Sequence, residues 1–302
     1  MKIGATTIPL AGWGVDPRRP EQARAQRLAA IRQLVEGYNL SAVELNLDLG
    51  IIFPQVFDAG FYAAVAGLQQ ELGFTCTAHL PFLWLDPSSL NEPVRQASVE
   101  CLRRAIELVQ PVDVTTCVLH LWGFTTIQIA VLLADPAQRQ AILGGVVAQV
   151  GRSLDEVCQV LDPRDLCVEN LEAPPFDLVL PLVERAGASI CLDVGHLAYE
   201  QGDALEFLAR HGERVREVHL HDFVHTSEGG HTRTRDHLPL GRGEMDTAAL
   251  LRRLEEMGFE GAVVLEVNSQ ADLEESLERV ACCVSRVSWH NRRNTQHVTR
   301  TA

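Results

Sequence analysis

The fold class that this sequence predicts is a single (β/α)8 barrel, on three observations. Eight short apolar, β-rich runs recur in order along 302 residues, segments of helical periodicity lie between them, and no Pro/Gly/Ser linker or internal repeat divides the chain. Strand–helix alternation of this length favours a closed parallel barrel over an open doubly wound sheet. The latter would carry a GxGxxG turn after its first strand, where this chain has only an isolated GRG at 241–243.

The elements follow in order. KIGATTI (2–8) reads as the first strand, and EQARAQRLAAIRQLVEG (21–37) as the helix behind it. AVELNL (42–47) is the second strand; the helix FYAAVAGLQQELG (61–73) closes on Gly73, the residue type expected at a helix stop. TCTAHLPF (75–82) is the third strand, with EPVRQASVECLRRAIELVQ (92–110) after it. TCVLHLW (116–122), LCVENLE (166–172), SICLDVG (189–195) and EVHLHDF (217–223) are strands four to seven. TAALLRRLEEMG (247–258) stops at Gly258 before the eighth strand, AVVLEVN (262–268). The runs are apolar on both faces, as strands covered inside and outside should be. The barrel is assigned to residues 1–285, and the polar, basic stretch 286–302 is expected to be a loosely ordered tail.

Composition narrows the chemistry. Forty acidic against 26 basic residues leave a formal charge of −14, which disfavours a nucleic-acid partner. Lys2 is the single lysine, so a lysine Schiff base in the body of the chain and a phosphate-cradling GKS or GKT loop are excluded. No apolar run reaches the ~20 residues of a membrane span, and the start lacks the apolar core of a signal peptide; a soluble, cytoplasmic protein is expected. The cysteines, several of them inside apolar strands, read as free buried thiols. The apolar stretch LDLGIIFPQVF (47–57) offers a lid, a homodimer contact or core packing.

A polar residue breaks six of the strands near the C-terminal end: His79, His120, Glu169, Asp193, His219 and Glu266. In a barrel these ends converge on the face that carries active sites. Glu169, Asp193, His219 and Glu266 form an oxygen-rich set suited to Mn, Mg, Co or Zn, and three carboxylates at one mouth need a cation. His79 and His120 supply a second cation position with Glu169 as the bridge. His196, three residues after Asp193, is a further ligand or substrate contact. The long segment after strand seven carries His221, His225, His231, His237, Arg233, Arg235, Asp236 and Arg242. Its arginines suit an anionic, phosphate- or carboxylate-bearing small molecule, and with His221 and Asp236 they form the expected substrate-binding set.

The ordered series HLPF, VLHLWG, VENLE, LDVGHL, HLHD, DHLPLGRG and VLEVN resembles the xylose-isomerase-like TIM barrels, which include endonuclease IV and sugar isomerases and epimerases related to tagatose 3-epimerase. The resemblance spans residues 2 to about 280. The epimerase pattern implies one divalent ion on Glu169, Asp193, His219 and Glu266, the two glutamates acting as acid and base. The endonuclease pattern implies zinc at His79, His120 and Glu169, a second ion on Glu169, Asp193, His219 and Glu266, and a third at His196 and His237. At that third site the family carries an aspartate two residues before the second histidine; this chain has Arg235 there, with Asp236 one residue before. Within the superfamily the motifs look most like the cobamide-remodelling phosphodiesterases. That resemblance implies a metal-dependent hydrolase of a small-metabolite phosphodiester, catalytic at Glu169, Glu266 and His196; the alternative is a sugar or sugar-phosphate isomerase.

Overall fold

The structure is a computed structural model that describes residues 1–124, 126, 128, 135–228 and 231–284. The 286–302 tail, Gly229 and Gly230 fall outside the described residues. Among the described residues there are ten strands: β1 (Lys2–Thr6), β2 (Ala42–Asn46), β3 (Thr75–His79), β4 (Val114–Leu119), β5 (Leu166–Glu169), β6 (Ser189–Asp193), β7 (Val215–Leu220), β8 (Asp222–Glu228), β9 (His231–Leu238) and β10 (Ala262–Leu265). Eight of them close a parallel barrel in the order β1-β10-β7-β6-β5-β4-β3-β2, as the eight apolar runs predict. Each barrel strand ends a few residues earlier than its apolar run, so His120 and Glu266 stand one residue past β4 and β10.

The helices begin and end on local chemistry. Asp58 caps Ala59–Leu72 by accepting the Phe61 N–H, and Gly73 ends that helix in the left-handed conformation at φ 72°. Asp135 accepts from Ala137 and Gln138 to cap Pro136–Val157, and Asp246 accepts from Ala249 to cap Thr247–Glu256. Helix and barrel side chains meet in one continuous apolar core of Val, Leu and Ile. Leu47, Leu49, Val56 and Phe57, at the two ends of the 47–57 stretch, are buried in it, while Ile51, Pro54 and Gln55 between them are exposed.

Register aligns the polar strand ends. Asn46 pairs with His79 across β2 and β3, and Asp193 with His219 across β6 and β7. The segment after β7, which the sequence leaves as a loop, is an antiparallel hairpin of β8 and β9 outside the barrel. Asp222 fastens its base: one carboxylate accepts the backbone N–H groups of Phe223, Gly241, Gly243 and Met245 at 2.8–2.9 Å. His225 adds an anchor, with Nε2 donating to the Ala198 carbonyl at 3.0 Å and Nδ1 paired with Glu244 at 2.9 Å.

Candidate metal centre

Glu169, the last residue of β5, is the hub of the strand-end cluster. Its Oε2 lies 2.7 Å from His120 Nε2 and 3.3 Å from His79 Nε2. Its Oε1 lies 3.1 Å from His219 Nδ1 and 3.3 Å from His196 Nδ1. One carboxylate thus divides four imidazoles into two pairs, one pair per oxygen. His219 Nδ1 is also 3.5 Å from Glu266 Oε2 and 3.8 Å from Asp193 Oδ2, which gathers the rest of the expected acidic set around one nitrogen.

Hydrogen bonds to the far side of the rings select the tautomers. His79 Nδ1–H donates to the Leu80 carbonyl at 3.0 Å, which turns Nε2 toward Glu169, where it donates while the ring is protonated and would offer its lone pair to a cation that displaced that proton. His219 Nε2–H donates to Glu44 at 3.2 Å, leaving Nδ1 toward the carboxylates. His221 is oriented the other way: its Nδ1 accepts the His237 backbone N–H at 3.0 Å, so Nε2 carries the proton donated to Asp193 at 3.1 Å. Although His221 clusters with His237 and Glu266, this wiring makes it a donor behind Asp193 rather than a ligand. Gly195 is necessary here, because a Cβ would stand 2.0 Å from His221 Cε1. Asn170 fixes Asp193 from the other side, donating to its carbonyl and accepting its N–H, both at 2.9 Å.

The electrostatics follow from burial and pairing. Burial by itself would lower His79, but Glu169 and Glu44 raise it to about 9. Burial opposes protonation of His196 as well, and Asp193 and Glu169 override it, to about 10. His237 rises to about 11 through Asp236 and Glu266, against burial. Burial would raise Glu266, yet His219 and His237 hold it at about 2, and the surrounding imidazoles keep Glu169 well below the usual carboxylate range. Ring protons here provide the positive charge that buried carboxylates require.

A divalent cation fits this donor set. Donor atoms of His79, Glu169 and His219 lie within 4.8 Å of one another, as do those of Glu169, Asp193 and His196, all of them buried. Imidazole and carboxylate together suit Zn or Mn in preference to a site of oxygen alone. His79, His120, Glu169, Asp193, His196, His219, His237 and Glu266, the ligands expected from sequence, all converge on the barrel mouth. His196 and His237, the pair expected for a third ion, are neighbours with ring centroids 6.1 Å apart, while His196 also groups with Glu169 and Asp193 and His237 with His221 and Glu266.

The expected substrate contacts fall elsewhere. Arg242 makes a two-pronged ion pair with Glu275, at 2.8 and 2.5 Å, and Arg235 is exposed on β9. His221 is buried, and Asp236 pairs with His237 at 3.2 Å. None of these four residues lines the cavity of about 820 Å³ over the site, and among its described lining residues there is no arginine or lysine.

Sequence reasoning missed Glu44, fully buried in the middle of β2, whose Oε1 has no hydrogen-bond partner among the described residues. A carboxylate on the far nitrogen of a metal-binding imidazole fixes the ring and increases its basicity. Glu44→Gln is expected to weaken divalent-metal retention by about 10- to 100-fold, measured by competition with a chromogenic chelator, with little change in fold by circular dichroism.

A parallel barrel with carboxylates and imidazoles converging at its C-terminal mouth defines a TIM barrel of the enzyme type with a candidate metal centre. The chain belongs to the Xylose isomerase-like TIM barrel family, which matches residues 2–282. An uncharacterized protein of Mycobacterium leprae is 36% identical over 275 residues, covering 89% of this chain and 82% of its own length. Among solved structures, a D-tagatose 3-epimerase-like protein superposes with a TM-score of 0.71 at 21% identity, covering 94% of this chain and 97% of that one. The 3-keto-D-glucoside 4-epimerase of E. coli superposes with a TM-score of 0.68 at 18% identity, covering 94% and 99%. These two likenesses concern the fold. Among the described residues, no helix is long and apolar enough to cross a membrane.

Proposed function

We propose that the protein is a metal-dependent hydrolase that cleaves a phosphodiester in a small anionic metabolite. The observation that carries this reading is the division of Glu169: Oε2 meets His79 and His120, Oε1 meets His196 and His219, so one carboxylate serves two cation positions. A single-ion reaction gives the first pair of histidines no part. Bound divalent ions, zinc by the donor set, supply an acidified water and charge neutralisation at phosphorus. His79, His120 and Glu169 would hold one; Glu169, Asp193, His219 and Glu266 would hold the other.

The remaining chemistry is the chain's own. Glu266 Oε2, with His237 Nε2 3.6 Å away, accepts the proton of the attacking water. The new P–O bond forms as the ester P–O bond breaks, and His196, in the cavity wall, gives a ring proton to the leaving alkoxide. The nucleotide loop of a cobamide is the specific substrate suggested by the likeness of CVENLE, CLDVGHL and HLHD to the cobamide-remodelling enzymes.

His120→Ala is expected to keep the fold, give up about one cation per chain by elemental analysis, and lose turnover of bis-p-nitrophenyl phosphate by roughly 10²-fold or more. Unchanged turnover would overturn the two-ion reading. A sugar epimerase is the second reading, favoured by Glu169 and Glu266 both reaching His219 Nδ1, at 3.1 and 3.5 Å, and by the epimerase names among the structural neighbours. Solvent deuterium entering a ketose would support it.

A further inference from the structure

Two aromatic side chains at the cavity mouth have no part in the ion chemistry. Trp84 is 81% exposed and Phe124 73%, the two most exposed large hydrophobic side chains among the described residues. Both line the cavity that also contains His79, His120 and Glu169. Trp84 is held in the left-handed region at φ 61°, a conformation that side-chain-bearing residues seldom adopt. Backbone strain of this kind persists where the surroundings enforce it, and here they do.

The turn before Trp84 is pinned by buried Asp48, whose Oδ1 accepts the N–H groups of Phe82 and Leu83 at 3.0 and 2.8 Å. The residue pair after it is pinned by Ser98, which accepts the Asp86 N–H at 2.8 Å. Asp86 in turn joins this loop to the one carrying Phe124, since its carboxylate accepts from Gly123 N at 3.2 Å and from Thr126 Oγ1 at 3.3 Å. The loops touch so closely that a Cβ on Gly123 would stand 2.4 Å from Asp86. The segments that carry the two exposed rings are therefore cross-linked to each other, which presents both rings at one mouth.

We propose that the substrate of this site carries a flat apolar ring system that docks on Trp84 and Phe124 while its phosphodiester reaches Glu169. The inference rests on the hydrolase reading for the identity of the reacting group. A small-molecule occupant is favoured because the rings belong to the same cavity as the reactive carboxylate, and a volume of about 820 Å³ lies within the range of ligand sites. Flat π-faces are the partners that exposed aromatic faces select by offset or edge-on stacking. No arginine or lysine is among the described lining residues, so outside the ion centre the wall offers aromatic and aliphatic faces with neutral polar groups such as Asn46 and Asn268.

The test uses the zinc-loaded full chain with two probes, diphenyl phosphate and dimethyl phosphate, titrated by calorimetry against wild type and a Trp84→Gly, Phe124→Ala double variant. Glycine is chosen because it accepts the left-handed backbone without strain. Wild type is expected to prefer the diphenyl probe by about tenfold. The double variant should lose that preference and bind dimethyl phosphate as before. Equal binding of both probes by wild type, or a preference that survives the double substitution, overturns the proposal. So does a change of oligomeric state in the variant by sedimentation velocity, which assigns the two rings to contact with a second copy. Turnover of bis-p-nitrophenyl phosphate is read separately: ring preference without turnover removes the hydrolase reading and leaves the ring site, and turnover without ring preference does the reverse.

Discussion

Glu169→Gln is expected to remove bound cations from both positions and lower phosphodiesterase turnover by more than about 10³-fold. The reason is the division of labour between its oxygens: an amide keeps one acceptor and replaces the other with NH₂, which faces an imidazole pair with a donor where an acceptor is needed. Elemental analysis should show near-complete metal loss, in contrast to the single-ion loss of His120→Ala. Retention of one full equivalent by Glu169→Gln would show that the two positions are independent.

The second large effect concerns pH and the chelated protein. His79 and His196, raised to about 9 and 10, stabilise the fold fully below the unfolded histidine value of 6.5, and that contribution disappears as pH climbs through 9 and 10. Glu266, lowered to about 2, and Glu169, lower still, act in the opposite direction: their contribution is present above 4.5 and lost as pH falls through about 2 and below. Chelated protein should therefore be most stable between pH 4.5 and 6.5, the unshifted carboxylate and histidine values. Its Tm should fall by at least about 5 °C on going from pH 6.5 to 10. Metal-loaded protein should not follow this fall, because cations displace ring protons and bind more tightly as pH rises. The Tm gap between loaded and chelated samples should widen steadily across that interval. A chelated Tm that stays level from pH 6.5 to 10 would contradict the charge pairing around Glu169.

The parts legible in the sequence are those with a one-dimensional signature. Parallel barrel strands are covered on both faces, so SICLDVG and AVVLEVN appear as apolar runs broken near their ends by Asp193 and Glu266, the residues that reach the barrel mouth. The hairpin had no such signature. HTSEGGHTRTR carries no apolar alternation, and β8 and β9 are set by backbone pairing and by the Asp222 carboxylate, which reaches residues 19 to 23 positions away. Glu44 escaped notice because its meaning lies in His219, 175 residues along the chain. Its place in AVELN, a lone charge inside a strand buried at nearly every position, was the available signal. Arg242 looked like an anion ligand for the converse reason: Glu275, the partner that neutralises it, sits on a different element.

His221 and His237 stack at 4.2 Å between ring centroids and 12° between planes, and the His237 amide points its proton at His221 Nδ1. The other nitrogen of that same imidazole grips Asp193. A main-chain amide of the hairpin is thus wired through one aromatic ring to a carboxylate of the centre, which makes it a natural spectroscopic reporter. The ¹⁵N–¹H resonance of His237 registers any redistribution of charge on Asp193, and so reads the occupancy of the barrel mouth from a strand that takes no part in the barrel.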